Sequence, residues 1–372
     1  MQIALPDKVV FDNGALRRIG ELSGPLGERA LLVTGARSLR ESGVLDRVVR
    51  LLRGKGISAT VFDEVQSEPS LEICERAIET ARGAHCDMVI GIGGGSVLDV
   101  GKTVAGILPQ VDPLREFFHS GRGLDMLPLP FVAVPTTAGT GSECTNNAVL
   151  TDTDRRIKKS LRDEQMIPDV ALVDPELTLS VPPDVTAQAG MDALTQAIEC
   201  YVSGAANAFS DALSGAAIPL IAANLPGAVE NGNELRYREP VAKGSLLTAM
   251  AFANAGLGAV HGLAHPLGAR FGIPHGLVCA VLLPSVCAFN LDVRRVRFEE
   301  IAAWVGAGSA DAVPDALAEL NRRVGIPPDL KSFGVAESDL GEIVQGSRSG
   351  SMRKNPREAS DDDLAAILRE GI

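Results

Sequence analysis

Histidine is scarce in this chain, five residues in 372, yet three fall together as His261-Gly-Leu-Ala-His265 and His275. His261 and His265 are four apart, so they share one face of a helix. Asp192 and Gln196 repeat that spacing on a second helical segment. A carboxylate and imidazoles presented by two facing helices suit a divalent transition metal. Spacing alone nominates His261 and His265 as the ligand pair, although packed core histidines would satisfy it equally well. His85 and His119 have no companions in sequence, and ordinary roles are expected for both.

Two small-residue turns form a second kind of chemistry. Gly91-Ile92-Gly93-Gly94-Gly95-Ser96 follows the apolar run Met88–Ile92 and leads into a helical pattern. Consecutive glycines let the backbone approach a ligand, and a helix start offers free amides and a positive end, so a pyrophosphate is the natural occupant. Ser96 stands where a dinucleotide fingerprint wants its last glycine, so a tight turn with no ligand is the competing reading. Pro135-Thr136-Thr137-Ala138-Gly139-Thr140-Gly141-Ser142-Glu143 follows the run Phe131–Val134 and is expected at the same edge of a sheet. Gly101-Lys102-Thr103 looks like the tail of a Walker motif, but the upstream glycine spacing is missing, and Lys102 is read as a helix-surface lysine.

These groups need elements to hold them. Short β-branched runs at Ala30–Thr34, Ala59–Phe62, Met88–Ile92, Phe131–Val134 and Val170–Val173 alternate with helical patterns such as Leu71–Arg82 and Val97–Ile107. That alternation predicts a parallel sheet covered on both faces, with ligands at the carboxyl ends of its strands. Beyond Val181-Pro182-Pro183 the period is near 3.6 throughout. Over Ala189–Ser203, Leu194, Ile198 and Tyr201 make an apolar stripe, and Asp192, Gln196, Glu199 and Ser203 a polar one. The expected fold is therefore α/β plus all-α: an α/β domain over 1–180 and a helical domain over 181–372, with a polar loop at Gly346–Ser360 before a last helix, Asp361–Arg369.

Composition sets outer bounds. Hydrophobic residues at 45% and charged residues at 22% exclude wholesale disorder, and 35 basic against 47 acidic residues leave a net charge of −12. No nucleic-acid partner is expected of so acidic a chain. Nor is a membrane partner, since no uninterrupted apolar run approaches the roughly 20 residues of a span. The start of the chain lacks a basic flank followed by an apolar block, and the six cysteines form no CxxC pair. Reduced core thiols and a cytoplasmic location are the expectation.

Taken together, GGGSVLD at Gly93–Asp99, PTTAGTGSE at Pro135–Glu143, DPELT at Asp174–Thr178, GMDALT at Gly190–Thr195, HGLAHPLG and PHG within His261–Gly276, and Asn355-Pro356 resemble the iron-containing (group III) alcohol dehydrogenases nearly end to end. The resemblance implies a dinucleotide-binding α/β domain, a helical domain of the dehydroquinate-synthase type, and a catalytic metal in the cleft joining them. It implies metal ligands at Asp192, the position of Gln196, His261 and His275. It also revises the reading from spacing. His265 is then no ligand but a group near the nicotinamide, a candidate for proton relay or positioning. Gly93, Gly94, Gly95, Ser96, Asp99, Thr136, Thr137, Thr140 and Ser142 become cofactor-binding candidates. Lys158 or Lys159 is a candidate for cofactor phosphate, with a solvated charge run the equal alternative. Dimers are common in the family, so a homodimer is expected.

Two departures from the family pattern carry consequences. Gln196 stands where an imidazole belongs, and a neutral amide oxygen is a weaker ligand. Fe²⁺ is still favoured, with Zn²⁺ or loss of tight metal binding as the other outcomes. Gly35 stands where an Asp commonly holds the adenosine ribose, so nothing repels a 2′-phosphate, and Arg37, Ser38 or Arg40 could bind one. NADP(H) is therefore expected to be accepted alongside NAD(H). The expected reaction is hydride transfer between the nicotinamide and a small alcohol or aldehyde. A maleylacetate reductase-like enzyme is the competing activity, and a nucleotide-binding protein without metal or turnover the competing class. Phe252 and Asn254 are candidates to line the substrate pocket.

Overall fold

The structure is a computed structural model that describes residues 2–155 and 157–372. The chain divides into two units, one holding the residues up to Thr137 and Gly141–Thr178, the other Ala138–Thr140 and Leu179–Ile372.

The strands of the first unit, in chain order, are Lys8–Phe11 (β1), Arg29–Gly35 (β2), Ser58–Val65 (β3), Met88–Gly93 (β4), Phe131–Pro135 (β5), Asn147–Asp152 (β6), Ile157–Arg162 (β7) and Val170–Val173 (β8). Six of them form a parallel sheet in the order β1-β8-β5-β4-β2-β3, and β6 and β7 form a separate antiparallel hairpin. The central strands β4, β5 and β8 are buried along their whole length, which is why they read as unbroken apolar runs. The chain passes from β2 outward to β3 and then back across to β4, so the sheet reverses its winding between β2 and β4. Ligands of doubly wound sheets bind at such a point. Gly35, Gly93 and Pro135 close the three adjacent strands β2, β4 and β5, and Gly93 is in register with Pro135.

The helix Gly95–Ile107 (α1) leaves the glycine turn. Every residue from Val97 to Ile107 is buried, so this helix has no solvent face. That overturns the reading of Lys102 as a surface residue: its side chain is fully buried.

The second unit is helical, as the 3.6-residue period predicts. Pro183–Val202 (α2), Ala208–Glu230 (α3), Leu235–Ala255 (α4), Ala259–Phe271 (α5) and His275–Asn290 (α6) surround a core that includes Leu194, Ile198, Leu263, Val278 and Leu282. Both stripes of α2 are buried, Asp192, Gln196 and Glu199 included. The polar stripe faces other helices rather than water. Asp361–Glu370 forms the last helix, and a short 3₁₀ turn at Met352–Lys354 interrupts the loop before it. One helix among the described residues, α3, is long and apolar enough to cross a membrane. It contains no unbroken apolar run of spanning length, because Ser, Asp, Asn and two prolines punctuate it, and it packs against α2 and α4.

Candidate active site

In the helical unit, α2, α5 and α6 bring four side chains together. Asp192, His261, His275 and Cys279 each offer a donor atom, all within 4.8 Å of one another. Asp192 Oδ1 lies 3.3 Å from His261 Nε2 and 3.9 Å from His275 Nε2. Cys279 Sγ lies 3.8 Å from His261 Nε2 and 3.6 Å from His275 Nε2. Three of the four donors are legible as candidates in the sequence. Cys279 is not, because composition groups it with the other five cysteines as packing, and all six are indeed free and buried. The available signal is its position one helical turn after His275, the same spacing that singles out Asp192 with Gln196 and His261 with His265.

Local sequence explains the placement. No side chain of its own caps α5; instead Asn355 Oδ1 accepts from Ala259 N at 3.2 Å and Glu199 Oε1 from Val260 N at 2.7 Å. A Cβ on Gly258 would come within 2.8 Å of Glu199 Oε1 and 3.1 Å of Asn355 Oδ1, so only glycine admits both acceptors at this helix start. The Gly of PHG serves similarly, because a Cβ on Gly276 would sit 2.4 Å from the Gln188 carbonyl oxygen on α2. These contacts set α5 and α6 against α2 and thereby aim the donors at one point.

The electrostatics of the cluster favour a cation. Glu199 Oε2 lies 2.6 Å from His261 Nδ1, a carboxylate–imidazole contact that fixes the ring and turns Nε2 toward Asp192. With the Nδ1 proton given to Glu199, Nε2 and Asp192 Oδ1 present lone pairs to one another, and Asp192 Oδ1 is buried without a hydrogen-bond partner. Only a proton or a metal ion between them relieves that opposition. The titration behaviour agrees. Burial would raise the Asp192 pKa, but the close approach of the His261 imidazole and the charge of His275 bring it below the usual carboxylate value. Burial would lower that of His261, but Cys279, Glu199 and Asp192 hold it well above the usual value. Burial pushes the Cys279 thiol up to about 12. A set of one carboxylate, two imidazoles and a thiol, with an unpartnered buried oxygen among them, fits a divalent metal.

Other candidates separate into two groups. His265 is half-buried on α5, its ring centroid 5.8 Å from that of His275, and it stands outside the four-donor group. The donors brought together therefore include His261 but not His265, so the pair nominated by spacing alone is replaced by His261 with His275, Asp192 and Cys279. Gln196 is buried one turn along α2 from Asp192, and its Oε1 has no hydrogen-bond partner. Phe252 packs beside Cys200, Ala251 and Ala255, while the Asn254 amide donates to the Met250 carbonyl. His119 does have a companion, Asp152, at 3.1 Å.

In the sheet unit, Gly94, Gly95 and Ser96 are half-buried at the start of α1, which has no side-chain cap and no acidic residue in its first turn. That leaves the positive helix end available to a phosphate. Thr136 and Thr137 are half-buried, and Thr140, which is assigned to the helical unit, is exposed. Asp99 and Ser142 take part in a buried network instead. Ser142 Oγ donates to Asp99 Oδ1 at 2.6 Å, Val149 N donates to Asp99 Oδ2 at 2.9 Å, and Lys102 Nζ donates to Ser142 O and Asn147 O at 2.8 Å each. The network fastens the second loop and the β6–β7 hairpin to α1. Lys158 is mostly buried and pairs with Glu68 at 2.6 Å, and Lys159 donates to the His119 carbonyl, so neither belongs to a solvated charge run. At Gly35 a Cβ would meet nothing nearer than the Val65 carbonyl oxygen at 3.7 Å, so the missing carboxylate is not a matter of space.

Comparison with known proteins places this geometry. Residues 6–175 match the family described as iron-containing alcohol dehydrogenase, and residues 186–372 match its C-terminal region. The chain belongs to the iron-containing alcohol dehydrogenase family. It is 39% identical to a 1,3-propanediol dehydrogenase of Citrobacter freundii, covering 99% of this chain and 98% of that protein. It is 34% identical to an NAD-dependent methanol dehydrogenase of Bacillus methanolicus over 99% of both. A crystal structure of 1,3-propanediol oxidoreductase superposes with a TM-score of 0.95 at 36% identity, covering 100% of this chain and 99% of that one. As a member of the iron-containing alcohol dehydrogenases, the protein is an NAD-linked oxidoreductase of alcohols and aldehydes, and the family's chemistry uses a divalent metal.

Proposed function

We propose that the protein interconverts short-chain primary alcohols and their aldehydes, with the substrate oxygen received at the Asp192, His261 and His275 cluster. The observation carrying this reading is the buried, unpartnered Asp192 Oδ1 set against the Nε2 atoms of two histidines. When bound there, a divalent metal supplies the Lewis acidity that polarises a carbonyl or acidifies an alcohol. The protein's own side chains do the rest. Asp192, His261 and His275 hold the ion, with Gln196 and Cys279 beside them as further donors, while Glu199 keeps the His261 ring in one orientation and tautomer. His265, half-buried next to His275, positions the substrate end of the site or relays its proton. The amides at Gly94–Ser96 and the hydroxyls of Thr136, Thr137 and Thr140 hold the dinucleotide, which sets the hydride distance before reaction. Asp99, Ser142 and Lys102 act behind them by fixing the second loop.

The names of relatives support small substrates, propanediol, methanol and lactaldehyde among them, although one relative is named a long-chain-alcohol dehydrogenase. NADP(H) is accepted as well as NAD(H), because Gly35 presents no carboxylate and exposed Arg37 is available to a 2′-phosphate, whereas Arg40 is already paired with Asp63. Six free thiols support a reducing compartment, the cytoplasm. A homodimer is the assembly proposed, to be read by light scattering. The deciding experiment is a panel of aldehydes graded in chain length, run with NADH and NADPH after reconstitution with Fe²⁺ or Zn²⁺. Cofactor oxidation with short aldehydes is the expected result. Nucleotide binding without turnover on any of them would overturn it.

A further inference from the structure

We propose that Cys279 is a direct metal ligand, so that its thiolate takes the coordination place that the family's missing imidazole leaves at Gln196; this rests on the cluster being the metal site. The distances carry the assignment. A tetrahedral ion with bonds of about 2.3 Å to sulfur, 2.0–2.1 Å to nitrogen and 2.0 Å to oxygen needs sulfur–nitrogen edges of roughly 3.6 Å and nitrogen–oxygen edges of roughly 3.3 Å. Cys279 Sγ lies 3.6 and 3.8 Å from the two imidazole Nε2 atoms, and Asp192 Oδ1 lies 3.3 and 3.9 Å from the same atoms. The side chain is wholly buried one turn after His275 on α6, so the helix that delivers one ligand delivers the other. Thiolate is charged and soft where the Gln196 amide is neutral and hard. Exchanging imidazole for this thiolate therefore keeps four protein donors while moving the site toward Zn²⁺ and Co²⁺.

Co²⁺ titrated anaerobically into the chelator-treated full-length protein reads the ligand directly. One equivalent is expected to bring visible d–d bands together with a near-ultraviolet sulfur-to-cobalt charge-transfer band. Cys279→Ser is expected to abolish the charge-transfer band, keep the d–d bands, and weaken Co²⁺ binding by more than the roughly 10- to 100-fold typical of losing a group behind a ligand. Gln196→Ala is expected to retain the charge-transfer band. Should the serine variant fail to fold, X-ray absorption of the Zn²⁺-loaded unsubstituted protein gives the same answer through one sulfur neighbour at about 2.3 Å. Visible bands without charge transfer, or charge transfer that survives Cys279→Ser, overturn the thiolate and leave the metal site standing. No cobalt uptake at all overturns both.

Discussion

Glu199, outside the four-donor group, is expected to set how well His261 binds a metal at the proposed site. Glu199 holds both the His261 ring and the Val260 amide, so Glu199→Gln keeps the shape of the contact while removing its charge. Metal affinity is expected to fall by about 10- to 100-fold, measured by chelator competition, and an unchanged affinity would remove Glu199 from the metal site. Gly35→Asp tests the nucleotide end. The position has room for a side chain, and a carboxylate there is expected to cut the kcat/KM ratio of NADPH to NADH by on the order of tenfold or more through repulsion of the 2′-phosphate. At this scale the sequence is most informative where a residue type is rare. His261 and His275 stand out among five histidines, and Asp192 stands out within GMDALT. Cys279 does not, because a buried thiol is ordinary core material and only its neighbours in space make it a donor. The same holds for Glu199, which reads as part of a polar stripe when its partner lies 62 residues away.

Elements are legible where one physical pattern dominates and hidden where two compete. The buried strands of the sheet show as unbroken β-branched runs, but in the hairpin β6 alternates between buried and half-buried positions and β7, mostly half-buried or exposed, carries Lys158 and Lys159, so it reads as a charged connection. Lys102 misleads for a related reason: sequence shows a lysine on a helix but not that every face of the helix is covered. Its burial has a consequence for pH dependence. Burial raises Glu143 to about 7 and lowers Lys102 to about 8, each offset in part by the other's charge. An acid whose pKa is raised on folding contributes stability that is complete below its unfolded value, near 4.5, and is lost as pH rises through about 7. Glu143→Gln removes that loss. Its melting temperature relative to the unsubstituted protein is therefore expected to climb between pH 5 and pH 8, and a constant difference would contradict the burial argument. Lys102→Met takes away the donor that serves Ser142 O and Asn147 O and leaves Asp99 buried without its cation. A loss of about 3–5 kcal/mol is expected, read as a lower denaturant midpoint.

For the molecule as a whole, the two units differ in what holds them. The sheet unit is closed by parallel pairing and the apolar cover of its helices, and none of the four candidate metal donors lies in it. In the helical unit Asp192, His261, His275 and Cys279 come from α2, α5 and α6, so an ion bound at the proposed site would tie three helices to one point. Binding to the folded state alone stabilises it by about 4 kcal/mol at a free metal concentration roughly 1,000 times Kd. For a unit of this size that corresponds to a rise in melting temperature on the order of 10 °C. The chain carries its own reporter. Its single tryptophan, Trp304, lies in the helical unit with its ring 5.0 Å from that of Tyr201 on α2, the helix that bears Asp192. Tryptophan fluorescence therefore follows the helical unit by itself, while calorimetry follows both units. Chelation is expected to move the fluorescence transition down and leave a second calorimetric transition, that of the sheet unit, in place; added NADH is expected to raise that second transition instead. Superposed fluorescence melts with and without metal would mean that the ion does not join these helices, and the cluster would then lose its claim to be the metal site.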